Sequence, residues 1–250
     1  MKPQHSTSAH DWDEVGQNWS EPHDTNPVLA QHKRRVYHDL VGEWTGGVAP
    51  SRALKTDMFA EAFNDEEFLS SLAWMGRTVG IDISSSVLIN ARKRFGSTAL
   101  LGYVTCDVTA LPFREGAFDL VLSDSTLDHF EHEDKIRRSL EEMARVLARG
   151  GHMIVSIDNP ANLTYPPRWI VRMWMRLRLA PYYVGVTLSA GRLDEVLGSL
   201  GLSIVHRTAI LHYPHPDGAV RLCERCARSL RLGGLAARVF SAVEQLRGTR

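Results

Sequence analysis

The chain has few cysteines, no surplus of either charge and no long apolar run, and each lack excludes a class of protein. Cys106, Cys223 and Cys226 are the only cysteines in 250 residues, too few for a disulfide framework and in keeping with a reducing compartment. Lysine and arginine number 29, and so do aspartate and glutamate, so no whole-molecule field draws the chain to nucleic acid. No run of about 18 apolar residues spans a membrane, and the opening MKPQHSTSAHDWDE lacks the apolar core of a secretory leader. The expected location is the cytoplasm. Internal repeats and low-complexity tracts are also missing. One local absence carries more weight: residues 51–63, SRALKTDMFAEAF, contain no glycine.

What is present is an ordinary globular composition, 44% hydrophobic and 23% charged, in a chain long enough to bury a core. The first 25 residues are polar and read as loose at the very end. NPVLAQHKRRVYHDLVGEW then reads as a helix, with Asn26 as its cap and Pro27 at its first position. Beyond the linker TGGVAPS, short apolar runs alternate with helical periods. The expected strands are RALKT, RTVGIDI, LLGYVTCD, GAFDLVLSD and HMIVSID; LSIVHRTAILH follows as a sixth. The expected helices are EEFLSSLAWMG, SSSVLINARKRF, a long one over HEDKIRRSLEEMARVLARGG closed by its glycines, and SAGRLDEVLGSLG. This alternation implies parallel strands joined by helical crossovers, a doubly wound, Rossmann-like α/β sheet with helical additions at both ends. The expected division is a helical cap over 1–50, a sheet domain over 51–212 with a substrate cap near 160–190, and a helical tail over 213–250.

Ligands of such sheets bind beyond the carboxyl ends of the strands. Asp82, followed by Ile83, closes the second expected strand, where a carboxylate can accept two hydrogen bonds from a ribose diol. A strand-ending aspartate is equally a turn or cap residue. Further on, Asp107 opens D-x-x-x-LPF-x-x-x-x-FDLV, and RVL-x-x-GG follows at a fixed separation. Over roughly residues 50–160 these linked motifs resemble class I S-adenosylmethionine (SAM)-dependent methyltransferases. The resemblance implies the fold of that class and SAM as cofactor. It implies that Asp82 holds the ribose, that Asp107 meets the adenine amino group, and that Val108 flanks the ring. The loop SDSTLDHF, with Ser123 and Asp124, would lie beside the methionine part and the reacting methyl. The two motifs also argue against a nicotinamide enzyme on the same core.

The glycine-free stretch departs from that family, whose first strand ends in an acid and a glycine-rich turn that lets backbone approach the cofactor. Here Lys55 stands at the acid, and Asp57, Phe59 and Glu61 stand at the glycines. Two readings stay open: a decayed site, and a rebuilt one in which Lys55 meets the SAM carboxylate and Asp57 its ammonium.

Methyl transfer needs mainly a nucleophile held against the methyl, with a base where that nucleophile is a hydroxyl. His129, beside Asp128 in LDHF, is the candidate base; the alternative is that both residues order the loop. Tyr182 and Tyr183 are candidates to line an acceptor pocket, as is Trp169. RWIVRMWMRLRL, within 168–179, sets Arg168, Arg172 and Arg176 beside an aromatic and aliphatic face, which suits a lid helix or peripheral contact with anionic lipid. His212, His215, Cys223 and Cys226 have zinc-like spacing but also suit an amphipathic helix, so no metal is expected. The tail over 217–250 has seven arginines against three acids and reads as a solvated helical face. The expected activity is methyl transfer to a small or lipophilic acceptor, without nucleic acid. The alternative is a SAM-binding regulatory protein without turnover.

Overall fold

The computed structural model describes residues 9–19, 27–46, 49–63, 76–96, 101–124, 126–160, 168–177 and 185–210. Five strands form one sheet: β1 (Arg52–Thr56), β2 (Arg77–Asp82), β3 (Leu101–Thr105), β4 (Phe118–Asp124) and β5 (Leu147–Ser156). Their order across the sheet is β3-β2-β1-β4-β5, and every neighbouring pair is parallel. The parallel sheet is the one expected from the strand–helix alternation, and its order is that of the class I methyltransferase fold implied by the motif resemblance. The order reverses between β1 and β4, which places the switch-point crevice at their carboxyl ends.

Alternation along the strands builds two cores, because successive side chains point to opposite faces. Leu54, Ile81 and Val121 face Ile136, Leu140 and Met143 of α5 (Glu133–Val146), with Val196 of α7 (Ala190–Ser199) in the same cluster. Ala53, Leu120 and Leu122 face Tyr37 and Val41 of α2 (Pro27–Trp44), together with Val87, Leu88 and Ala91 of α4 (Ser85–Phe95). Sequence patterns of both faces are therefore apolar, as a sheet covered by helices on both sides demands. Ser84 caps α4 in extended geometry, its hydroxyl accepting from the Val87 backbone N–H at 3.2 Å.

Two sequence expectations change, and the amino-terminal segment gains a helix that the sequence reading did not place: Ala9–Asn18 forms α1. Trp12, Val15 and Trp19 recur at helical spacing, and Asp13 ties the helix to the start of α4, so packing supplies what composition lacked. Gly16 permits that close approach; a Cβ there would lie 2.4 Å from Ser86 Oγ. The long helix α5 ends at Val146, and β5 begins at Leu147. Gly150, with φ +75°, and Gly151 sit in a register irregularity of β5 against Phe118–Leu120 in place of capping the helix. Finally, residues 202–210 join no strand; Ile204 and Val205 are exposed, and His206 stacks on Trp44 at 5.6 Å. Residues 66–75 of the expected helix over 66–76, Asn26 and the zinc-like cluster at 212–226 lie outside the described residues, as does the tail over 213–250.

Candidate active site

The switch-point crevice collects carboxylates. Asp57 follows β1, Asp82 ends β2, Asp107 follows β3 and Asp124 ends β4. The glycine-free turn supplies the first of them by an unexpected construction. Lys55 Nζ lies 2.8 Å from Glu61 Oε2, on α3 (Phe59–Phe63), and donates to the Asp57 carbonyl at 2.5 Å. Both side chains of the pair are enclosed, 2% and 0% exposed. Asp57 has φ +120°, a backbone conformation that favours glycine. Its N–H donates to the Ile81 carbonyl at 2.9 Å, and its Oδ1 accepts from the Phe59 N–H at 2.7 Å. The turn thus keeps a glycine-type backbone at a position that carries a carboxylate. The lysine and the glutamate brace it from beneath.

Burial works against the Lys55 ammonium, but Glu61, Asp57 and Asp124 outweigh it and hold its pKa above the ordinary value. A single lysine does not neutralise all its neighbours. Burial raises the pKa of Asp57 and Glu61 despite the opposing charge of Lys55. Burial and the charge of Asp57 push Asp82 up to about 7. Asp82 accepts from the Ser84 N–H at 2.9 Å and from the Met58 N–H at 3.0 Å, which fixes both oxygens at the crevice. Two oxygens remain buried without a hydrogen bond among the described residues: Glu61 Oε1 and Ser123 Oγ.

Asp107 is exposed and folds its own turn, its Oδ1 accepting from the Thr109 N–H and hydroxyl, each at 2.8 Å. Val108 beside it is buried. The following LPF segment is held from α5. Glu142 accepts from the Leu111 N–H at 2.8 Å, while Arg145 donates to the Leu111 and Phe113 carbonyls at 2.9 and 2.8 Å. The two sequence motifs LPF and RVL-x-x-GG are therefore one physical unit, since the arginine of the second pins the backbone of the first. Asp124 accepts from Ser156 at 2.8 Å, and Ser156 accepts from Tyr37 of α2 at 3.2 Å. Thr126 donates to the Thr56 carbonyl at 3.0 Å and closes the switch point from the β4 side.

Over this floor lies α1. Trp12 meets the His129 ring edge-on at 5.0 Å, and Trp19 meets Phe59 at 5.0 Å. Asp13 accepts from Ser84 Oγ at 2.6 Å and from the Ser86 N–H at 3.0 Å. Burial opposes its charge, yet the Ser84, Ser86 and Ser85 donors hold its carboxyl below the ordinary range.

The structure thus brings Asp57, Asp82, Ile83, Asp107, Ser123, Asp124 and His129 to the carboxyl end of the sheet, and it gives Lys55 a partner within the protein. Asp128 is buried, with Oδ1 accepting from the Asp158 N–H at 2.9 Å and its carbonyl from the Gly185 N–H at 2.7 Å. Those bonds tie the 127–130 turn to two later segments, which is the loop-ordering alternative. Trp169 is two-thirds exposed on α6 (Arg168–Arg176). Tyr182 and Tyr183 lie outside the described residues. Sequence reasoning missed Glu61 as the partner of Lys55, and missed Trp12 and Asp13. The opposite charges six residues apart in KTDMFAE, and the tryptophan spacing of α1, were the available signals.

Residues 63–155 match the family model described as a methyltransferase domain. The match begins at Phe63, directly after the glycine-free turn. The human protein named "Probable tRNA methyltransferase 9B" is 36% identical over 80 residues, 32% of this chain and 16% of that protein. The ubiquinone/menaquinone biosynthesis C-methyltransferase UbiE of Roseobacter denitrificans is 28% identical over 144 residues, 54% of this chain and 55% of that one. Each match takes in less than two thirds of the relative's own length. The N-methyltransferase NodS of Bradyrhizobium japonicum, solved with S-adenosylhomocysteine (SAH), superposes with a TM-score of 0.52 at 20% identity, covering 75% of this chain and 83% of that one. At that identity the likeness concerns the fold.

Proposed function

We propose, from the premise that the chain carries a class I SAM-dependent methyltransferase domain, that it transfers the methyl of SAM to a small or lipophilic acceptor at a hydroxyl or similar nucleophile. The carrying observation is the crevice itself, where Asp57, Asp82 and Asp124 converge around one buried lysine and leave a surplus of negative charge. SAM has a sulfonium and an ammonium against a single carboxylate, so its charge suits that surplus. Unmet buried acceptors such as Glu61 Oε1 and Ser123 Oγ are costly unless a ligand or water donates to them. The chemistry SAM supplies is an electrophilic methyl on its sulfonium.

This chain's residues take the remaining roles. Asp82 accepts from the ribose hydroxyls, Ile83 and Val108 flank the nucleoside, and Asp107 accepts from the adenine amino group. Asp57 faces the ammonium, with Ser123 and Asp124 beside the methionine part. Lys55 and Glu61 position the turn, a different part from the direct SAM contact expected of Lys55 from sequence. His129 serves as the base for a hydroxyl acceptor, and Asp128 orders its turn. Trp169, Tyr182 and Tyr183 remain assigned to the acceptor side on their sequence positions. The cytoplasm is the proposed location, supported by the low cysteine content.

Calorimetry with SAM and SAH tests this reading. Asp82→Ala should weaken both at least tenfold, since a carboxylate accepting two hydroxyls contributes about 2–4 kcal/mol. Failure of the wild-type protein to bind either ligand removes the proposal. Incubation of cell extract with methyl-labelled SAM then identifies the acceptor. The second reading, binding without turnover, is favoured by the glycine-free turn after β1; SAM binding with no labelled product from any extract would select it.

A further inference from the structure

Among the described residues, α6 carries an apolar face that neither core takes in. On α6, Trp169 is 66% exposed, Leu177 at its end 59%, Met173 43% and Trp174 40%. A lid helix would bury that face against the domain. These four residues instead share one broad arc of the helix, since positions 169, 173 and 177 lie one turn apart and 174 flanks them. Positions 168, 172 and 176, all arginine, follow the same helical spacing along one border of that arc, and Arg176 is exposed. Residues 160–190 contain four arginines and no acidic residue, although the whole chain is electrically balanced. Positive charge is therefore concentrated in the stretch of sequence that carries the exposed apolar face.

From this juxtaposition we propose that α6 is a membrane-docking helix, which lays its Trp169, Met173, Trp174 and Leu177 face into the surface of an anionic lipid bilayer. The two halves of the helix surface select the occupant. Arginines at the border of an apolar arc pair with lipid phosphates while tryptophans settle at the headgroup level. Nucleic acid would satisfy the arginines but offers no apolar phase to the leucine and methionine. A neutral bilayer would accept the apolar arc and leave the arginines without counter-charge. At nine residues the helix is far too short to cross a membrane, so it lies in the interface. In the chain α6 follows β5, whose carboxyl end opens on the crevice. The docking stands independently of the cofactor reading.

Sedimentation of the full chain with vesicles tests it. Vesicles of phosphatidylglycerol mixed with phosphatidylcholine should bind at least tenfold more protein than pure phosphatidylcholine vesicles, and 0.5 M salt should weaken that binding. The variant Trp174→Glu/Leu177→Glu should lose at least tenfold in vesicle binding, with an unfolding midpoint unchanged because both side chains are exposed. The variant Arg172→Gln/Arg176→Gln should lose the preference for anionic vesicles. Equal binding to both vesicle types, binding by Trp174→Glu/Leu177→Glu equal to wild type, or retention of an RNA with no retention of anionic vesicles would each overturn the proposal. Loss of SAH binding in an otherwise vesicle-competent protein would leave it standing.

Discussion

The two ends of β1 each carry an ion pair, and the pairs do opposite kinds of work. At the amino end, Arg52 makes a forked contact with Asp119, 2.6 Å at its shortest, with 40% and 31% of the two side chains exposed. At the carboxyl end, three residues on, Lys55 meets Glu61 at 2.8 Å with both enclosed. Water and salt already screen the first pair, and its groups would be well solvated if separated. The second pair has no such alternative, because each partner is the other's solvent. Distance alone would rank the exposed pair as the stronger. Burial reverses the ranking, since the cost of losing a partner depends on what replaces it.

Breaking the buried pair should have the largest effect. Lys55→Met leaves Glu61 and Asp57 enclosed without their cation, and unfolding in denaturant should show a loss of about 3–5 kcal/mol. Removing both charges, in Lys55→Met/Glu61→Met, should recover a large part of that loss. Equal losses in the single and double variants would mean that the brace acts by shape and not by charge.

Next in size is the division of labour within the turn. Asp57→Asn should weaken SAM and SAH several-fold while sparing 5′-methylthioadenosine, which lacks the amino-acid end. Lys55→Met, assayed where it is folded, should weaken all three ligands alike, because the lysine shapes the turn that also presents the Met58 N–H to Asp82. A loss by Lys55→Met confined to SAM and SAH would return the lysine to direct contact with the cofactor carboxylate.

A smaller effect comes with pH. Asp82 carries a proton below about 7 in the ligand-free protein, through burial and the neighbouring charge of Asp57. Two ribose hydroxyls bind the carboxylate more strongly than the protonated carboxyl, which has lost its charge and part of its acceptor capacity, so below that pH binding favours release of the proton. SAH affinity should therefore rise by up to about tenfold between pH 6 and pH 8, one proton being released per ligand. Calorimetry in buffers of different ionisation enthalpy would count that proton. Asp82→Asn should flatten the profile; an unchanged pH slope in that variant assigns the titration to another group.

Last comes the exposed end. Arg52→Ala should shift the unfolding midpoint far less than Lys55→Met, and the shift should shrink further in high salt. A loss comparable to that of Lys55→Met would show that the contrast between the two ends of β1 rests on something other than solvent access.

Much of this was legible in residue order. Apolar runs of RALKT, RTVGID and FDLVLS, spaced by helical periods, are enough to call a parallel sheet, because both faces of such strands must be apolar. Asp82 and Asp107 stand out as carboxylates at strand ends, and the turn role that such residues equally serve is also present, in their bonds from the Ser84 and Thr109 N–H groups. The LPF and RVL-x-x-GG motifs carry the resemblance to methyltransferases, and the bonds of Arg145 to the Leu111 and Phe113 carbonyls give the reason for their linkage.

Other features depended on distance in space. Whether Lys55 faced ligand or protein turned on where Glu61 came to rest, and a five-residue helix decided that by returning the glutamate beneath the strand. The glycines at 150 and 151 have the composition of a helix stop, but the register of β5 against β4 drew them into a strand irregularity. The amino-terminal helix gains its stability from Trp12, Asp13 and Trp19 meeting α3, α4 and His129, partners that a local window cannot contain. Periodicity and composition are properties of neighbours along the chain, so the sequence by itself determined the strands, most helices and the strand-end acids. Burial is a property of neighbours in space, and only the tertiary structure decided which charges brace the site and which of them face it.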